Sequence, residues 1–181
     1  MIRSQEMMRA QGHSSGGQIL REWRQQVPYP VTLRVVEPIV GAVHGPEFDA
    51  VWMVLALQAL LPHRFADDGQ VGIGQAAATG TNFARLRKAI VAARNGDRDA
   101  VVRHVADIAK AHHAQAGYAH TLGMRRWAKD TACALSQDRE RVWALSQKWT
   151  MEYKQATSKK PAVQGPVSAP QLPQERFDEH A

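Results

Sequence analysis

The sequence predicts an all-α protein folded as an antiparallel helical bundle. Apolar residues recur at three- and four-residue spacing through most of 81–157, which is the period of an amphipathic helix. The most apolar run, VWMVLALQALL at 51–61, is far shorter than the ~20 residues of a bilayer span and is typical of a buried helix. No segment shows a convincing strand pattern. A content of 44% hydrophobic residues with five tryptophans predicts a folded core.

The length of 181 residues suits one well-buried core better than two independent domains. The first residues form a polar arm that ends in Ser-Ser-Gly-Gly, and the last are rich in proline, alanine and glutamine. The expected organisation is a disordered arm at 1–17, a helical body at 18–157 and a disordered tail at 158–181. Within the body we expect a first helical half at 18–62, a connection at 63–80 and a basic helical half at 81–157.

The first half opens with a short helix, QILREWRQQ, which the prolines of 28–30 stop. Residues 31–44 are ambiguous: the β-branched residues suggest a strand, whereas the spacing of the apolar residues fits a helix kinked near Pro38. We interpret this segment as a helix. The next helix begins at Pro46, with Glu47 and Asp49 in its first turn, and is expected to be the central core helix. The connection at 63–80 has at most a helical turn at 73–78.

Four helices are predicted in the second half. The inward stripe of the first is centred on Phe83, and Asn95-Gly96 breaks the chain after it. Asp97 and Asp138 are in position to cap later helices. The inward residues of those later helices are listed in chain order: Val101, Val105, Ile108 and His112; Met124, Trp127, Ala128, Thr131 and Leu135; Val142, Leu145, Trp149 and Tyr153.

Positive charge is concentrated in the second half. Residues 81–154 hold 14 basic and 7 acidic side chains, whereas residues 1–80 hold 6 and 7, and 155–181 hold 3 of each. Such asymmetry is typical of a protein that meets a polyanion. An ordinary solvated helix surface is the alternative, and it explains Arg103, which has Asp107 four residues later. It explains the cations of 81–94 poorly, because that segment has no acid.

The cations of 81–94 fall on two stripes of their helix. Arg85 and Lys88 lie on the far side from Phe83, whereas Arg87 and Arg94 lie seven residues apart at the margin of the apolar face. Seven residues of helix span roughly 10 Å, a workable distance between successive phosphates. The segment therefore indicates phosphate contact.

The sequence offers little chemistry for catalysis. The histidines at 104, 112, 113 and 120 lack an HExxH arrangement and paired cysteines, so we expect no metal site. Asp67-Asp68 is typical of a turn, and Gly72-Ile73-Gly74 is only part of a dinucleotide fingerprint. A single cysteine, Cys133, rules out an intrachain disulfide and is expected to be a small core residue. We therefore expect a protein that is not an enzyme and has no cofactor.

The tryptophans of the second half, Trp127, Trp143 and Trp149, are expected in the core rather than exposed as base-stacking platforms. If nucleic acid binds, we expect contact through its backbone, without reading of sequence. The polar start of the chain lacks the apolar centre of a secretory signal. We expect a cytoplasmic protein that does not enter a membrane.

The order of these features resembles the small-subunit (CasB-type) family of multisubunit CRISPR effector complexes. The resemblance covers roughly 18–155 and includes REW, LRVVEP, the apolar central helix and a polar glycine loop. It continues with FARLRKAIVAARNGDRDAVVRHVADI, WAK and RERVWALSQKWTMEY. It is similar to type I-E-like, Cascade-like or type IV members, and the arm and tail are departures from a minimal member.

The resemblance implies a non-catalytic subunit of two stacked helical sub-bundles, working in antiviral defence. Its partners would be guide RNA and target nucleic acid or the displaced strand, the helical-backbone subunits of the complex, and further copies of itself. The candidate nucleic-acid-binding residues, several of them singled out by the resemblance, are Arg34, Arg85, Arg87, Lys88, Arg94, Arg98, Arg125, Arg126, Lys129, Arg139 and Arg141. Two alternatives remain: a helical assembly protein that docks an acidic partner, and a stand-alone DNA-binding regulator.

Overall fold

A computed structural model describes residues 12–27, 30–62, 64–67, 69–80, 83–116 and 121–158. The predicted all-α fold is confirmed over these ranges. The predicted features at residues 1–11, 28–29, 68, 117, 120 and 159–181 lie outside them. The helices are α1 (Gly12–Gln25), α2 (Pro30–Val40), α3 (Pro46–Leu60), α4 (Ile73–Gly80), α5 (Phe83–Asn95), α6 (Arg98–Gln115), α7 (Met124–Leu135) and α8 (Arg139–Ser158). The strands are β1 (Phe65–Ala66) and β2 (Leu122–Gly123).

The helix starts follow the predicted capping signals. The Asp97 carboxylate accepts a hydrogen bond from the Ala100 amide at 3.0 Å, at the start of α6. The Asp138 carboxylate accepts from the amides of Glu140 and Arg141, both at 3.1 Å, at the start of α8. Pro46 is the first residue of α3. These local signals act within one turn of chain, which is why the sequence was sufficient to find them.

Helix α3 is the centre of one side of the bundle, as its apolar sequence predicts. Every residue of 50–57 is buried, and α3 packs against α1, α2 and α7. On the other side α4 lies between α6 and α8, and α5 packs along α6. Helix α7 also contacts α6 and α8, so the two sides form one continuous core.

The ambiguous segment after residue 30 is a helix, as interpreted, and α2 runs through Pro38 to Val40. Its start is held to α1, since the buried Glu22 carboxylate accepts a hydrogen bond from the Thr32 amide at 3.0 Å. Helix α1 begins at Gly12, six residues before the predicted start of the helical body at residue 18. Helix α4 fills Ile73–Gly80, more than the single turn expected there.

A short parallel β-bridge was missed in the sequence. Phe65 pairs with Leu122 and Ala66 with Gly123, far apart along the chain. The bridge requires glycine at Gly69 and Gly123, because a Cβ added at Gly123 would lie 2.3 Å from the Gly69 carbonyl oxygen. Strands of two residues carry no readable alternation, so only the tertiary fold brings these segments together.

Candidate nucleic-acid interface

The cations of α5 lie on two edges of that helix, as the sequence predicts. Phe83 and Arg94 mark one edge, which runs along α8. The Phe83 ring lies 5.1 Å from the Tyr153 ring, and the Arg94 guanidinium carbon lies 5.1 Å from the centre of the Trp143 ring. Early α5 therefore meets late α8, and late α5 meets early α8, so the two helices run antiparallel.

Phe83 itself corrects a prediction. It was expected at the centre of the buried stripe, but it is 39% exposed. The buried positions of α5 are Leu86, Ala89, Ile90, Ala92 and Ala93. They form a wide face because α5 packs against α6 as well as α8, and their centre is displaced from Phe83. The small alanines allow this close packing.

All four cations between 83 and 94 are exposed, and none forms an ion pair with another residue in the described ranges; they are Arg85, Arg87, Lys88 and Arg94. Partial burial, together with the charges of Arg103 and Lys88, lowers the pKa of His104, although Asp107 acts in the opposite direction. Helix α5 thus presents cationic side chains with no counter-ion among the residues that the structure describes.

Arg94 opens onto a cleft of about 660 Å³ between the end of α5 and the start of α8. Arg139 and Trp143 line the same cleft, and the turn after α5 closes one end. Among the described residues that line it, none has a carboxylate side chain. The first cleft is therefore positively charged, and one of its walls is an indole ring.

A second cleft, of about 860 Å³, lies between α7 and the chain that joins α2 to α3. Three of the predicted cations line it: Arg125, Lys129 and Arg141. Its floor includes apolar side chains such as Val51 and Ala128, and Glu47 is a lining acid. Ser136 at the end of α7 lines both clefts, so the turn between α7 and α8 separates them.

Five of the predicted residues therefore line the two clefts that meet at Ser136: Arg94, Arg125, Lys129, Arg139 and Arg141. Two of these also have acidic neighbours. Arg141 is bound to Asp138 at 3.0 Å and Arg125 lies 3.7 Å from Asp67, each pair being partly exposed.

The remaining predicted residues lie elsewhere. Arg98 is paired with Asp49 of α3. Arg126 is held by the Glu152 carboxylate at 2.5 Å and by the Gln70 carbonyl at 2.8 Å, so it joins α7 to α8 and to the loop before α4. Arg34 is exposed on α2 and lines neither cleft. Arg85 and Lys88 lie on the edge of α5 that faces away from the first cleft.

Trp143 is the residue of the first cleft that the sequence interpretation missed. Trp127 and Trp149 are buried as predicted, with exposures of 0% and 1%, whereas Trp143 is 49% exposed. The signal was present in the spacing. Trp143 follows Val142 by one residue, so it falls about 100° away from the stripe that Val142, Leu145 and Trp149 define.

The other residues that the sequence analysis considered for chemistry lie in surroundings typical of residues that support the fold. Burial and the charge of Asp130 raise the pKa of the Cys133 thiol, which favours the unreactive thiol form. Gly72 and Gly74 lie against Arg126 and the backbone of α8, not at a phosphate-binding turn. His112 is buried in α6, as predicted. Among the described residues no three His, Cys, Asp or Glu side chains are grouped so that they could hold a metal ion.

No helix within the described ranges combines the length and apolar character needed to cross a membrane. Comparisons of the chain with protein-family models, with curated proteins and with solved structures gave no match. The function is therefore argued from the site itself.

Proposed function

We propose that this protein is a non-catalytic, sequence-independent nucleic-acid-binding subunit of a CRISPR ribonucleoprotein complex in the cytoplasm. The observation that supports the binding proposal is the set of four exposed α5 cations, none of which has a counter-ion in the described part of the chain. The cations that line the two clefts extend this surface. The CRISPR assignment rests on the resemblance in helix order and sequence, and on the all-α fold that the resemblance implies.

The chemistry of the surface suits a phosphate backbone. Arginine donates several N–H groups in a planar fork that matches phosphate oxygens, and lysine adds a point charge. Neutralised phosphates release counter-ions, so affinity falls steeply with salt and does not depend on base order. In a guide-directed complex, base pairing reads the sequence, and protein contacts to the backbone stabilise the strand exchange. Several copies in one complex would multiply a weak individual affinity.

The second cleft favours a different function. Its apolar floor beside Arg125, Lys129 and Arg141 suits an acidic protein segment with an apolar anchor. This corresponds to the alternative of a helical assembly protein, and also to docking on a larger subunit of the proposed complex. A stand-alone regulator is less well supported, because α5 and α6 pack against each other and into the body of the bundle.

The first test removes the charge of α5. A variant with Arg85, Arg87, Lys88 and Arg94 changed to glutamine is compared with wild type in salt titrations against unrelated single-stranded RNA, single-stranded DNA and duplex. Each lost contact with a single strand lowers the slope of log affinity against log salt by about 0.7, so we expect a slope shallower by up to about 3. The loss of affinity should be the same for nucleic acids of unrelated sequence.

A matched control removes four other exposed cations, Arg21, Arg24, Lys110 and Lys154, and leaves α5 intact. It has the same net charge as the α5 variant. Its slope of log affinity against log salt should stay close to that of wild type. Equal losses in both variants would mean that net charge, not α5, determines binding. If wild type binds no polyanion at low salt, the binding proposal fails. Co-purification with guide RNA and larger effector subunits tests the family assignment separately.

A further inference from the structure

We propose that the first cleft is a stacking site for one unpaired nucleobase, with Trp143 as the platform and Arg94 and Arg139 as donors to the adjacent phosphate. This rests on the proposed function and goes beyond backbone binding, because it assigns a base contact. The ligand is a single-stranded segment of RNA or DNA, since a base within a duplex cannot reach an indole ring.

The indole of Trp143 is available for stacking. Half of this side chain stays exposed although the guanidinium of Arg94 lies 5.1 Å from the ring centre. The four other tryptophans are buried or half-buried, so Trp143 is the exposed one. Exposing so large an apolar surface forgoes the stabilisation that burial would provide. A planar ligand that covers the ring would recover it.

Arg94 is held in a position that leaves its donors free. A guanidinium stacked on a ring contributes its flat face, whereas its N–H groups point outward in the guanidinium plane. No described residue forms an ion pair with Arg94. Arg94 can therefore stay on Trp143 and still donate hydrogen bonds to a phosphate beside the stacked base.

The electrostatics of the cleft favour an anion. Arg139 is the first residue of α8, so its side chain lies at the positive end of a 20-residue helix. The sequence neighbours of Arg139 are the acids Asp138 and Glu140, and neither lines the cleft. Asp138 is engaged with the first amides of α8 and with Arg141. The cleft lining has two arginines and no carboxylate, which complements the charge of a nucleotide.

The strand has a path away from the cleft. The seam between α5 and α8 leads from Trp143 to the aromatic pair of Phe83 and Tyr153, about 16 Å along α5 at 1.5 Å per residue. Arg87 lies on the same edge of α5, one turn after Phe83 and two turns before Arg94. An aromatic group at each end with a cation between them matches the pattern of base and phosphate along a single strand.

The test distinguishes the contribution of the base to binding from that of the phosphate backbone. Wild type is titrated with a thymidine oligomer and with an abasic oligomer of the same length and charge. Stacking of one base contributes about 5- to 100-fold in affinity, so the abasic oligomer should bind weaker by that factor. Trp143→Ala should lose most of the preference for the thymidine oligomer, and Trp143→Phe should keep most of it. Because Trp143 is exposed, these variants should fold, which circular dichroism checks.

Fluorescence provides a second measurement. The thymidine oligomer should quench tryptophan emission in wild type and in Trp23→Phe, whose half-buried ring packs on Trp52 at 5.0 Å, but not in Trp143→Phe. Equal affinity of wild type for both oligomers would overturn the stacking site and leave the backbone proposal intact. Binding of neither oligomer would overturn both. Quenching of Trp143 by polyglutamate but not by the oligomer would overturn the nucleobase and indicate an acidic protein segment.

Discussion

At the scale of single residues, the buried carboxylate of Asp130 joins α7 to α8 through two residues, Lys148 and Trp149. It accepts two hydrogen bonds from the Lys148 ammonium, at 2.7 and 2.8 Å, and one from the Trp149 indole at 3.2 Å. Asp130 is 4% exposed, whereas the Lys148 side chain is 41% exposed. The negative charge is thus fully compensated, and the positive partner retains contact with water.

Asp130→Ala should destabilise the protein markedly. Removing one partner of a buried ion pair costs about 3–5 kcal/mol, and the exposure of Lys148 reduces this, so we expect about 2–3 kcal/mol. Urea unfolding measures the change. Asp107→Ala is the matched control: Asp107 lies 3.9 Å from Lys110 and both are exposed, so the loss should be below about 0.5 kcal/mol. Similar losses in the two variants would contradict this account.

At the scale of elements, the contact between α4 and α8 depends on glycine. A Cβ added at Gly74 would lie 2.4 Å from the Trp149 carbonyl oxygen and 2.8 Å from the Glu152 Cβ. The obstacle is the backbone of another helix, which cannot turn away as a side chain can. Gly74 therefore lets α4 approach α8 closely.

Gly74→Ala should destabilise the protein although alanine favours helix formation. Overpacking costs about 1–3 kcal/mol, which exceeds the helix-propensity gain of about 1 kcal/mol. Gly17→Ala in α1 is the control, since nothing lies within 4 Å of the added Cβ. Thermal unfolding should show a lower midpoint for Gly74→Ala and an unchanged or slightly higher one for Gly17→Ala. A rise in both midpoints would show that the two helices can separate at little cost.

At the scale of the whole molecule, the basic residues divide into two groups. Arg98 and Arg126 form ion pairs that join distant parts of the chain. The α5 cations form no such pairs within the described ranges and face outward. We therefore expect the first group to affect stability and the second to affect polyanion binding.

Arg126→Met tests this division. The change leaves Lys148, at 3.8 Å, as the remaining ion-pair partner of the buried Glu152 in the described ranges. It also removes the hydrogen bond to the Gln70 carbonyl. The unfolding free energy should therefore fall by about 1–3 kcal/mol. The slope of log affinity against log salt should differ from that of wild type by no more than about 0.7, the contribution of one phosphate contact. The α5 variant should show a larger change. A slope as shallow as that of the α5 variant, with stability unchanged, would place Arg126 in the binding surface instead.

The local features of this fold could be predicted from the sequence. The caps at Asp97 and Asp138, the start at Pro46 and the burial of Trp127 and Trp149 all follow from residues within a few turns of each other. The position of Phe83 could not be predicted in this way, because α5 packs against several helices and its buried face is set by all of them. The pairing of Phe65 with Leu122 likewise depends on segments that meet only when the bundle is complete.

Composition and the period of an isolated helix were sufficient to predict the helical class, the apolar centre at α3 and the concentration of positive charge after residue 80. The packed structure was needed to show which arginines of the described ranges form ion pairs and that Trp143 faces a cationic cleft. Charge pairing and exposure depend on distances between helices, and residues such as Arg126 and Glu152, or Arg94 and Trp143, become neighbours only after packing.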